Sequence, residues 1–178
     1  MGKFVDLLSK SARANGLWAV VVLGLAWVQP AFAQTAGKTP NTMATGKANC
    51  LVRVIHATQT GQGLDPSLEA LRPQLTRPPL SAWANFALLK QHELSIAPGT
   101  SQPFSLPGDG DHAGTLTFEG RPQGAGKPRL RLRLEISDGK AKLLSTKFVI
   151  NSGGTVLQAG LKHEKGLLVL GITCTAAE

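Results

Sequence analysis

The chain has 178 residues with 19 Lys and Arg against 11 Asp and Glu, a formal charge of +8, and it holds 2 cysteines and no tyrosine. That length bounds it to one domain of ordinary size plus a leader. Scarce aromatic residues speak against modules that stack sugars or single-stranded bases on exposed rings, and the lack of Cys-x-x-Cys speaks against dithiol redox catalysis.

Lys3, Lys10 and Arg13 surround the start of an apolar run at 17–28, and Ala31-Phe32-Ala33 follows Pro30. This is the three-part layout of a secretory signal, with cleavage expected before Gln34. The run is about 12 residues long where a spanning helix needs ~20, so contact with the membrane is expected only through this segment where it stays uncleaved. Cleavage removes three cations and one carboxylate and leaves a charge of +6. A surface this basic favours anionic partners, here an anionic envelope polymer or an acidic envelope protein, and export disfavours nucleic acid.

Residues 34–48 are polar, with almost nothing to bury, and read as a flexible linker. A single domain is therefore expected over 49–178. It opens at Cys50 with a strand apolar on both faces, through Leu51, Val52, Val54 and Ile55. Asp65-Pro66 reads as an N-cap and first helical residue of a short helix that buries Leu68, Leu71 and Leu75, with Pro73 expected to stop or kink it. Residues 81–91 suit helix or strand equally; a strand would put Trp83 and Phe86 on opposite faces. Beyond them the pattern is strand upon strand, around 104–106, 115–119, 129–136, 142–150, 155–159 and 167–173, punctuated by Pro-Gly, Asp-Gly and Gly-Gly pairs. The fold class is mainly β: an antiparallel meander forming a two-layer domain or sandwich, with one or two short helices near the N-terminal side.

One hairpin is legible to the residue. Leu130, Leu132, Leu134 and Ile136 alternate with Arg129, Arg131, Arg133 and Glu135, and the return strand puts Leu144, Thr146, Phe148 and Ile150 on even positions too. Even faces even only across an odd loop, so a three-residue Ser137-Asp138-Gly139 loop is expected, with Gly139 in a left-handed conformation. Arg129, Arg131 and Arg133 then form an outward stripe, with Lys147 across from Arg129. These four residues are the candidate binding site for phosphate or carboxylate groups, set against the plainer role of a charged face kept for solubility.

In an exported chain, two cysteines imply one bridge, Cys50 with Cys174, between neighbouring central strands. Catalytic patterns are poor. Ser137 and Lys140 have Ser-x-x-Lys spacing but fall at a turn, where the helical context that the motif needs is missing. His56, His92, His112 and His163 are scattered; His56 reads as a partly buried histidine with a hydrogen-bond partner, and Asp109, Asp111 and His112 as a polar turn. No catalytic residue, metal or cofactor is expected. The leading functional reading is an exported non-catalytic binding or scaffolding domain of the cell envelope that uses a basic sheet face or a sheet edge, and the alternative is a hydrolase with dispersed catalytic residues.

Overall fold

The computed structural model describes residues 46–61, 63–108, 111–124 and 126–177. The expected leader and nearly all of the linker lie outside them, as does Asp109. Nine strands follow in chain order: β1 (Ala48–Thr58), β2 (Gly63–Leu64), β3 (Asn85–Ile96), β4 (Ser101–Ser105), β5 (His112–Gly120), β6 (Arg129–Asp138), β7 (Ala141–Asn151), β8 (Thr155–His163) and β9 (Gly166–Ala176). They form a five-stranded sheet in the order β2-β3-β1-β9-β8 and a four-stranded meander in the order β4-β5-β6-β7. The two sheets face each other as a mainly β sandwich.

The first strand takes the centre of the larger sheet because both of its faces are apolar. Cys50, Val52 and Val54 point into the sandwich, where they meet Leu116, Phe118, Leu130, Leu132 and Leu134 of the opposing sheet. Ile55 and Ala57 point the other way, under a second buried layer made by Leu68, Leu71, Leu75 and Leu80. That layer is the expected helical segment. Asp65 caps it by accepting from the Ser67 amide at 2.9 Å, and a 3₁₀ turn over Pro66–Leu71 leads into α1 (Arg72–Leu75). Pro73 falls in the first turn of α1, where its missing N–H costs nothing, so it starts the α-helical turn and does not end the segment. Burying each of the leucines contributes about 1.5–3 kcal/mol, which is how so short a helical piece is held in place.

The ambiguous stretch resolves as a strand. After a short 3₁₀ turn at Leu80–Ala82, β3 starts at Asn85, so Trp83 precedes the strand and packs with Phe86 in the same outer cluster. The decisive partner is β1, which hydrogen-bonds β3 along its length and overrides the helical composition.

The cysteines sit directly opposite each other in β1 and β9 and are bonded, with their Cα atoms 4.1 Å apart. Parity in the β6–β7 hairpin is as expected, with Leu130, Leu132, Leu134 and Ile136 opposite Ile150, Phe148, Thr146 and Leu144. The means differs. Asp138 pairs with Ala141 across a two-residue Gly139-Lys140 turn, and a bulge that leaves Leu143 unpaired restores even against even. Gly139 has φ +52°, and among the described residues of this turn it alone has positive φ, the requirement of a type II′ hairpin. Ser137 lies in β6 and Lys140 in the turn, so their spacing is that of a hairpin end.

Candidate functional site: a basic sheet face

The outer face of the four-stranded sheet is built by strand alternation. Leu130, Leu132 and Leu134 are buried while Arg129 and Arg131 are exposed and Arg133 is half-exposed, so the arginine stripe faces outward as the sequence implies. Alternate residues along a strand are roughly 7 Å apart, which sets the spacing of the three guanidinium groups. Lys147 is placed differently from expectation. The two-residue turn and the bulge shift the register by four, so Lys147 lies opposite Arg133, and Arg129 lies opposite Asn151.

That shift changes the electrostatics. Glu119, at a bulge in β5 between Phe118 and Gly120, accepts from Arg133 through Nε at 2.9 Å and through Nη2, and the same oxygen lies 3.2 Å from Lys147 Nζ. The Arg133 guanidinium, and after it Lys147, hold the Glu119 carboxyl below its ordinary range. Lys142 similarly donates to Glu135 at 2.6 Å and lowers that carboxyl. Arg133 and Lys147, half of the expected site, therefore share one carboxylate, which offsets one of their two positive charges. Arg129 donates a long 3.4 Å bond to the Gln123 carbonyl, and Arg131 has no hydrogen-bond or ion-pair partner among the described residues. The charge available to a ligand is concentrated at Arg131 and Arg129. Arg121 is occupied elsewhere, because its guanidinium donates to the Ala177 carbonyl and ties down the C-terminal strand.

Sequence reasoning missed Glu119 as the partner of both Arg133 and Lys147. Its outward parity was readable from Leu116 and Phe118, but the pairing of β5 with β6 crosses a loop that carries no register signal.

A second concavity lies at one end of the sandwich. This cavity of about 720 Å³ is lined by Leu89, Leu106, Leu161 and Leu168 on its apolar side, and by His112, Asp138 and His163 among its polar groups. His112 Nε2 stands 3.7 Å from Asp138, an ion pair only when the imidazole is protonated. His56 lies behind His163 with ring centroids 5.0 Å apart, and its buried Nε2 has no hydrogen-bond partner among the described residues. The described lining residues include acids and bases but no serine, threonine or cysteine nucleophile. No group of three or more His, Cys, Asp or Glu among the described residues is disposed to hold a metal. Lys90 Nζ donates to Ser105 Oγ at 2.6 Å, and this exposed pair links β3 to β4.

No family model, curated protein or solved structure matches this chain. Among the described residues, no helix is long and apolar enough to cross a membrane.

Proposed function

We propose that this is an exported, non-catalytic domain of the cell envelope that binds or scaffolds an anionic partner, either an envelope polymer or an acidic protein, on the outer face of its four-stranded sheet. The observation that carries the reading is Arg131, an exposed guanidinium without a partner among the described residues, held between Arg129 and Arg133 on a rigid strand. Guanidinium groups recognise phosphate and carboxylate through paired donors, and a strand fixes them with little further loss of entropy. Export is supported by the leader pattern and by the Cys50–Cys174 bond, which persists in oxidising compartments. The hydrolase alternative has less support, because the cavity that would house it shows no serine, threonine or cysteine nucleophile among its described lining residues.

The test is retention on dextran sulfate, standing for the polymer, and on immobilised polyglutamate, standing for the acidic protein. Arg129→Gln with Arg131→Gln should abolish most retention at low salt, whereas Arg133→Gln should change it little because that charge is already paired. Equal retention of the double variant would reject the basic-face reading. Preference for dextran sulfate over polyglutamate, or the reverse, separates the polymer from the acidic protein as source of the anion.

A further inference from the structure

We infer that β7 is a self-association edge through which two copies of this chain join antiparallel, about a two-fold axis at Thr146. At the β3/β4 side, His92 Nε2 reaches the Ser105 carbonyl at 2.9 Å and Gln102 donates to the Ser95 carbonyl at 3.1 Å, so side chains cover the gap. Strand β4 has five residues and contains Pro103, and β8 is interrupted by a register shift at Gly160, whose φ is +141°. Short length, proline and bulges are how proteins blunt sheet edges. Strand β7 has 11 residues and, among the described residues, pairs on one side only, with β6.

Its protective charges are turned away. Lysines commonly guard an edge, but Lys147 folds back onto Glu119 and Lys142 onto Glu135. Meanwhile Leu143 and Val149 are 48% and 47% exposed, and Leu144 and Phe148 are half-buried. Large apolar groups gathered on an unpaired strand mark an interaction surface.

Register and charge then choose the occupant. An antiparallel pair keeps the core faces of two copies continuous only if even residues face even. With the axis at Thr146, Leu144 meets Phe148 of the second copy, Lys147 meets Ser145, and Val149 lies level with Leu143. With the axis at Lys147, two lysines would oppose each other. With the axis at Ser145, Lys142 would face Phe148 and Lys147 would face Leu143. The Thr146 register places Leu144 against Phe148 without opposing two lysines, and a second copy of this chain supplies that pattern. The bulge at Leu143 confines the regular ladder to residues 144–148, with Leu143 and Val149 of each copy just outside it. So small a contact belongs to the class that buries less than about 1,200 Å² and associates transiently.

Sedimentation equilibrium of the expressed chain should show apparent mass rising from one copy toward two with concentration. Val149→Glu faces Arg131 within its own sheet, so folding is kept, and it should shift the midpoint to about tenfold higher concentration or more. Thr146→Cys should cross-link to itself under mild oxidation, because opposed Cα atoms in such a pair lie roughly 4.5–5.5 Å apart. Val149→Cys should not, since the two copies of residue 149 would be about 20 Å apart. A monomer at every concentration, an unchanged midpoint in Val149→Glu, or equal cross-linking of the two cysteine variants would overturn the inference. The first of these results, together with dimerisation of a chain lacking residues 1–45, would assign the edge to the leading segment.

Discussion

The two sheets use their faces in opposite ways. In the five-stranded sheet the central strand is buried on both sides, by the sandwich core and by the leucines of 68–80, and it carries the disulfide. In the four-stranded sheet one face is dry and the other is wet, charged and without a covering layer among the described residues. The larger sheet therefore holds the fold together, and the smaller one presents chemistry to solvent. Substitutions should separate along that line, large in stability on the first sheet and visible mainly in binding on the outer face of the second.

The largest effect expected is from the bridge. Replacing both Cys50 and Cys174 by Ala opens a link across a sequence separation of 124, which should lower stability by about 2–5 kcal/mol in urea denaturation. A loss below about 1 kcal/mol would mean that the two-sided packing of β1 already restricts the unfolded chain, and the contrast between the sheets would then rest on packing alone.

A smaller effect tests whether the inner face of the four-stranded sheet is as exacting as the core of the other. Gly114 lies beneath the ring of buried Phe104, and a Cβ there would come within 2.1 Å of the ring. Gly114→Ala should cost about 1–3 kcal/mol through overpacking, with m-value unchanged. If the cost is under about 0.5 kcal/mol, Phe104 swings aside and the smaller sheet is the softer of the two.

How much of this was legible differs between the sheets for a physical reason. The β6 stripe and the Cys50–Cys174 pairing follow from local alternation and from compartment, which the residues themselves carry. The helical cap was readable from Asp65-Pro66 and the leucine spacing. Residues 81–91 were not, because their composition favours helix and only the distant β1 makes them a strand. The candidate site was half readable: Arg129, Arg131 and Arg133 face outward as the alternation implies, but the Gly139-Lys140 turn and the Leu143 bulge together moved Lys147 by four positions. A bulge leaves no composition signal in a strand of Lys and Leu. The Glu119 pairing was out of reach too, since it depends on how β5 returns beside β6.

The smallest expected effect on stability is the one that sharpens the contrast most. Glu119 is the carboxylate that pairs with both Arg133 and Lys147 on the wet face. Its folded-state carboxyl titrates below the ordinary 4.5, chiefly because of the bond from Arg133. A depressed acid stabilises the fold fully above its unfolded value, and that contribution is lost as pH falls through the folded one. Glu119→Gln should therefore flatten part of the loss of stability below about pH 4.5 while barely moving stability at pH 7, as exposed ion pairs contribute little. At neutral pH the same substitution frees Arg133 and Lys147, so retention on dextran sulfate should rise above that of the unaltered chain, most at low salt. If the acid limb keeps its shape, the remaining lowered carboxyls at Asp65, Glu69 and Glu135 carry it. If retention fails to rise, the face binds through Arg129 and Arg131 alone, and its other charges serve the sheet rather than a partner.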